Sequence, residues 1–164
     1  MTIPPEIEYV YAVRYQSDPE YIKIGRTTDP KSRIAQLQVG SRSAAEMVWC
    51  SECDNNVWFE YNLHQSFKPR LVRGEWYRGV TVGMLDRAKE MLDKEYQIME
   101  FGENISNQIL QERKKQKLSQ IKLAQMAGVR QATISNIENV EAVHLPTLIK
   151  VVSALGKKLS MVDM

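Results

Sequence analysis

The sequence predicts an α+β fold in two parts: a small sheet with flanking helices over residues 1–102, then an all-α unit over residues 103–164. Three observations carry this reading. In the first part, short runs of period two alternate with amphipathic runs of period 3.6. After "FGENIS" only helical patterns remain, in short lengths separated by tight turns. The charge divides at the same place, because residues 103–164 hold nine Lys/Arg against five Asp/Glu, net +4, which leaves residues 1–102 at net −2 in a chain of net +2.

At 164 residues, 43% hydrophobic and 26% charged, the chain has the composition of a folded protein with room for one ordinary domain or two small ones. No apolar run reaches the ~20 residues that span a bilayer. The start, "MTIPPEIEYV", lacks the basic and apolar segments of a secretion signal. A cytoplasmic location without membrane association is the expectation. Cys50 and Cys53 have the C-x-x-C spacing of a zinc or redox pair, but the two histidines do not obviously complete a four-ligand set, so the cysteines are read as incidental.

The elements follow in order. "EYVYAVR" reads as a strand with Tyr9, Tyr11 and Val13 on one side and Val10 and Ala12 on the other. "YIKI" sets Ile22 and Ile24 together with Tyr21 and Lys23 opposite, and Gly25 then permits a turn or bulge. Asp29-Pro30 reads as a cap and first-turn proline for "KSRIAQLQ", presenting Arg33 from the first turn. "AEMVWCSE" is a third strand and "GEWY" (74–77) a short fourth. "NNVWFEYNLHQSF" is a helix capped by Asn55 or Asn56, in which Glu60 and His64, four apart, share a face. "TVGMLDRAKEMLDKEYQIM" is a further helix, and the division between units is expected near "FGENIS".

In the second unit the spacing predicts helices over "ISNQILQERKKQ", "SQIKLAQMAG", "RQATISNIEN" and "LPTLIKVVSALG", with Ser119 as N-cap and Gly128 closing a turn. Leu123, Ala124, Val129, Ile134, Ile137, Leu148, Val151, Val152 and Leu155 would form one core. The tail "KLSMVDM" either adds a short strand or trails. Two short helices joined at Gly128 and Val129 describe a helix-turn-helix. With Ile134 and Ile137 inward, Arg130, Gln131, Thr133 and Asn136 are left for a DNA groove. Gln131 suits adenine, the Thr133 methyl suits thymine, and Ser119 and Gln120 open a helix whose free amides suit a phosphate. Caps and solvated polar groups of a small bundle are the bland alternative.

"LSQIKLAQMAGVRQATISNIEN" resembles the DNA-binding domain of Cro/C1-type phage repressors, over about residues 104–162. The resemblance implies that Ser119 and Gln120 clasp the phosphate backbone and that Gln131, Ala132, Ile134, Ser135 and Glu138 belong to the recognition helix, with Glu138 serving structure. It also implies binding of double-stranded DNA as a two-fold homodimer. Where that family often has glycine two residues after the glutamate, this chain has Val140. "LIKVVSALGKKLSMV" is similar to the HipB-type antitoxin branch, which implies a partner protein at the C-terminal domain.

In the first unit a tyrosine, a lysine, an arginine and a helix-borne carboxylate form a set suited to phosphoryl chemistry. A solvated Lys23, a Glu60–Arg33 pair and a capping or packed His64 are the plain alternative. "YVYAV", "YIKIGRTTDPKSRIAQL", "FEYNLHQSF" and "GEWY" resemble the GIY-YIG nuclease superfamily, specifically its branch from an open reading frame of phage T5, over about residues 8–80. The resemblance implies a small mixed three-stranded sheet with flanking helices that hydrolyses phosphodiester bonds in DNA with one divalent metal, Mg2+ or Mn2+. Tyr11 matches the first-motif tyrosine, Lys23-Ile24-Gly25 the second motif, Arg33 the first-helix arginine and Glu60 the metal-binding glutamate. His64 belongs to the branch's E-x-x-x-H pattern. Lys23 stands where the better-studied pattern has a second tyrosine. The expected function is a metal-dependent DNA endonuclease targeted by its own helix-turn-helix; the alternatives are a sequence-specific transcriptional repressor with a non-catalytic first domain, and an antitoxin-like regulator.

Overall fold

The computed structural model describes residues 7–141 and 143–160. The chain forms two compact units, Met1–Glu95 and Tyr96–Met164. In the first, strands β1 (Glu8–Tyr15) and β2 (Tyr21–Thr27) are followed by α1 (Pro30–Gln38), β3 (Ala45–Cys53), α2 (Asn56–Ser66), a 3-10 turn at Lys68–Arg70, and the short strands β4 (Leu71–Arg73) and β5 (Trp76–Arg78). Local chemistry starts both helices. The Asp29 side chain accepts from the Ser32 amide at 3.0 Å ahead of Pro30, and Asn55, rather than Asn56, caps α2 by accepting from the Trp58 amide at 3.0 Å.

The sheet differs from the expected mixed three-stranded one. It has five strands in the order β3-β1-β2-β5-β4, and every neighbouring pair is antiparallel. Two causes are visible. The crossover through α1 sets β3 parallel in direction to β2, but β1 lies between them, so no parallel ladder forms. The segment 71–78 then closes as a hairpin, and its inner strand pairs along β2 from Tyr21 to Lys23. Buried Val10, Ala12, Ile22 and Ile24 share the core with Phe59 and Leu63 of α2, Tyr77 of β5 and Leu85. Tyr11 and Val13 on the other face of β1 are equally buried. There the Tyr15 hydroxyl donates to the Leu37 carbonyl of α1 at 3.0 Å.

A single helix, α3 (Val82–Lys115), replaces the two separated at "FGENIS" in the sequence reading. Gly102 is the one poor helix former of that stretch, at a cost of about 1 kcal/mol, and no proline or capping pair interrupts the backbone. The second unit continues with α4 (Gln120–Ala127), α5 (Gln131–Glu138) and α6 (Leu145–Ala154). Gly128 ends α4 at φ 63, the left-handed conformation that a C-terminal cap requires. All nine residues assigned to this core from sequence lie in one cluster, with Val129 and Leu148 at its margin and Ile109 and Ala127 added. Residues 157–160 have no regular structure, and the rest of the tail lies outside the described residues.

One ion pair joins α3 to α5. Arg113 donates from Nε at 2.5 Å and from Nη2 at 2.9 Å to the two Glu138 oxygens, and from Nη1 to the Leu118 carbonyl at 2.8 Å. Burial alone raises the Glu138 carboxyl, but hydrogen bonds from Arg113 and Gln120 outweigh it and hold the group below the usual carboxylate range. A depressed folded value stabilises fully above the unfolded pKa, and the contribution is lost as pH falls through the folded one. Arg113→Leu is therefore expected to cost about 3 kcal/mol at neutral pH. The gap from the parent protein should narrow in acid, as urea unfolding followed by circular dichroism will read. Val140, at φ 61, is a β-branched residue in the left-handed region. Val140→Gly should raise stability by about 0.5–1 kcal/mol in the same measurement, the relief of strain exceeding the entropy of the added glycine.

Candidate functional site

The first site is built on one cross-strand pair, Tyr11 opposite Gly25. The Tyr11 phenol lies across the glycine, so that a β-carbon on residue 25 would stand 2.7 Å from its oxygen and 2.8 Å from Cζ. From the first turn of α1, Arg33 Nε donates to the Tyr11 oxygen at 2.7 Å. The next residue on β2 turns to the opposite face, where α2 lies. Arg26 Nε donates to Glu60 Oε2 at 2.8 Å, and its Nη1 reaches Asn56 Oδ1 at 3.4 Å. An open cleft of about 500 Å³ receives Tyr11, Arg26, Arg33, Asn56, Glu60 and Glu75, together with Thr27 and Thr28.

Lys23 and His64 adjoin this cleft through its carboxylates. The Lys23 ammonium donates to Glu75, and that bond, with partial burial opposing it, holds the Glu75 carboxyl below the usual range. His64 Nε2 is 4.0 Å from Glu60 Oε1, while its Nδ1 is 2.5 Å from the hydroxyl of buried Tyr77. Burial, and then the charges of Glu75 and Glu60, push the Tyr77 phenol up. One ligand atom each from Glu60, His64 and Glu75 lies within 4.8 Å of the others, a cluster able to coordinate a divalent metal. Two carboxylates and an imidazole are a donor set that such an ion accepts, so the residues present fit a metal.

The five residues expected in the first site occupy one neighbourhood, with Tyr11, Arg33 and Glu60 lining the cleft. The pairing differs from the plain alternative: Arg33 bonds Tyr11, and Glu60 takes Arg26 instead. From sequence Asn56 was read only as a candidate helix cap, Glu75 and Tyr77 only as parts of "GEWY", and Arg26 was given no role. Alternation from Ile22 and Ile24 was the available signal for Arg26, since it places the guanidinium on the face of α2. Cys50 and Cys53 are three apart on β3, which turns them to opposite faces. Burial pushes the Cys53 thiol up to about 11, and the Cys50 thiol is also raised by burial and then by Glu52.

In the second unit, the Ser119 hydroxyl accepts from the Lys122 amide at 3.1 Å. Gln120 Nε2 donates to Glu138 Oε2 at 2.8 Å, and Gln131 Nε2 donates to Gln120 Oε1 at 2.6 Å. Arg130, Gln131 and Ala132 at the start of α5 are exposed, and Thr133 and Asn136 are half-buried beside inward Ile134 and Ile137. A continuous polar chain thus runs from Arg113 through Glu138 and Gln120 to the exposed Gln131.

Residues 8–94 match the T5orf172 domain family and residues 109–162 match a helix-turn-helix family. No curated protein matches the chain. Among solved structures, a chain of a HipA-HipB-O2-O3 complex is similar at 30% identity, over 38% of this chain and 89% of that one, with a TM-score of 0.36. A chain of a toxin-antitoxin module from Streptococcus pneumoniae is similar at 30% identity, over 46% of this chain and 80% of that one, with a TM-score of 0.34. Among the described residues no helix is long and apolar enough to cross a membrane.

Gly25→Ala tests how tightly the Tyr11 geometry is set. The added methyl has nowhere to go beside a fully buried ring, so a loss of about 1–3 kcal/mol in urea unfolding is expected.

Proposed function

Because the chain belongs to the T5orf172 domain family and carries a helix-turn-helix domain after it, we propose that it is a sequence-specific DNA-binding regulator. The observation that carries this reading is the polar chain ending at Gln131. One Nε2 hydrogen of Gln131 is committed to Gln120, which leaves the second hydrogen and Oε1, the pair that a bidentate contact with adenine uses. Thr133 then offers its methyl to a neighbouring thymine, and Arg130 and Asn136 flank them. Ser119 and Gln120 at the start of α4 face a phosphate. A recognition helix of this length reads a few base pairs, so two copies of the chain on a two-fold site complete the address. A protein partner at the second unit belongs to the same regulatory reading.

The convergence of Tyr11, Arg33, Glu60, His64 and Glu75 favours a second reading, in which the first domain cuts the DNA that the second selects. Arg33 would steady the scissile phosphate, Tyr11 or Lys23 would orient a water, and Glu60 with its neighbours would hold the divalent ion. When bound, that ion supplies charge stabilisation and a more acidic water. In the free protein both carboxylates carry a basic partner, Arg26 on Glu60 and Lys23 on Glu75, an arrangement that suits a binding domain as well as a cutting one.

Footprinting on selected DNA tests the first reading. A two-fold protected site is expected without added metal, and Gln131→Ala should cost about 1–3 kcal/mol at one base position per half-site. Uniform weakening on all sequences would sink direct reading by Gln131. Supercoiled DNA with Mg2+ or Mn2+ tests the second: nicking abolished by Glu60→Ala, with the footprint retained, is its expected outcome.

A further inference from the structure

We propose that Glu60, His64 and Glu75 form a three-ligand site selective for a first-row transition ion, of the Mn2+ or Zn2+ kind, over Mg2+, and that Arg26 and Lys23 occupy its two carboxylates until that ion displaces them. The inference concerns binding alone, and it stands or falls independently of DNA reading or cutting.

The donor chemistry sets the selectivity. A site served by Glu60 alone presents oxygen, which Mg2+ accepts while keeping most of its water. An imidazole added to two carboxylates changes the preference, because nitrogen suits the later divalent ions and Mg2+ gives up its water reluctantly. His64 is held as a metal-binding histidine is held. Its Nδ1 is engaged by the Tyr77 hydroxyl at 2.5 Å, and the two rings lie nearly parallel with centroids 5.7 Å apart. In the tautomer whose Nδ1 hydrogen is donated to that oxygen, Nε2 keeps its lone pair on the side of Glu60. Glu60 and His64 are one helical turn apart on α2, whereas Glu75 arrives from the turn before β5, and the Glu75 carbonyl is fixed by the Ile24 amide at 3.2 Å. The three ligands therefore come from a helix packed on the sheet and from a turn hydrogen-bonded to β2.

The charge arrangement supplies the second half. Two carboxylates this close need cations, and the structure provides two singly charged ones, each on a separate carboxylate. A divalent ion compensates both at once. Arg26 and Lys23 are then freed, and the Arg26 guanidinium already lines the cleft beside Thr27, Thr28 and Arg33. Loading the metal would so convert a neutralised cleft into one facing an anion with free positive charge.

The test uses the full chain stripped of metal by chelation, titrated calorimetrically with Mn2+, Zn2+ and Mg2+, and followed by imidazole nitrogen NMR with Zn2+. With only two histidines in the chain, His64 and His144, the reporting resonances are easily separated. Zn2+ is expected to move the His64 signals and leave those of His144. Mn2+ should bind at least about tenfold tighter than Mg2+. Both His64→Asn and Glu75→Gln should weaken Mn2+ by about tenfold or more, and Tyr77→Phe, which keeps the ring and the fold, should weaken it by a similar factor. Arg26→Gln should tighten it. Equal affinity for Mg2+ and Mn2+ together with a silent His64→Asn would reduce the site to Glu60 and overturn the proposal. Absence of binding by any of the three ions, or a Zn2+ response confined to His144, would do the same. An unchanged Mn2+ affinity in Arg26→Gln would remove the displaced-cation half.

Discussion

The phenol of Tyr11 occupies the space where residue 25 would carry a side chain, and the site in the first unit is arranged around that close approach. The ring sits in the middle of a strand paired on both edges, so it has no route outward, and its oxygen fixes where Arg33 points. The strand that yields to it continues to the other face with its next residue. Lys23 and Gly25 therefore serve one side of β2 and Arg26 the other, and the cleft collects groups from both. A sheet residue seldom has this reach, since alternation normally confines a strand's chemistry to one face. Here the missing side chain at Gly25 leaves room for the Tyr11 phenol at the cleft.

The two units solve their polar problems in related ways. Near β2 the carboxylates of Glu60 and Glu75 are paired with Arg26 and Lys23. Beneath α5 the Glu138 carboxylate is held by Arg113 and Gln120. Exposure separates the two cases. The Glu138 side chain is only 6% exposed, and its partner Arg113 12%, so removal of either leaves a costly charge inside. The Arg26 side chain is 45% exposed, and an exposed ion pair exchanges partners at little cost. One pair is architecture, and the other is available for exchange.

What the sequence disclosed follows the range of the forces concerned. Asp29, Asn55, Ser119 and Gly128 announce helix ends because the capping bond spans three residues, and the core of the second unit was legible because burial follows helical period. Leu71–Arg73 escaped as a strand because three exposed residues carry no alternation; pairing with β5 alone defines it. The continuity of α3 escaped because a single glycine inside a helix and a glycine at its end look alike in sequence. Glu75 as a third ligand required knowing that β5 lies against β2, and the Glu60–Arg26 pair required knowing which face α2 covers. Both are long-range facts that no local pattern encodes.

The hydrogen bond from Gln131 to Gln120 has a thermodynamic consequence. A free glutamine side chain holds up to about 2 kcal/mol of rotameric freedom, and here part of that freedom is surrendered during folding. In the proposed reading, contact with a base then has less left to order. A wrong base meets the same stiffness as a penalty, since Gln131 can turn aside only by breaking its bond to Gln120, which Glu138 and Arg113 hold in place behind it. Discrimination would then owe as much to the rigidity of the reader as to the strength of the correct contact.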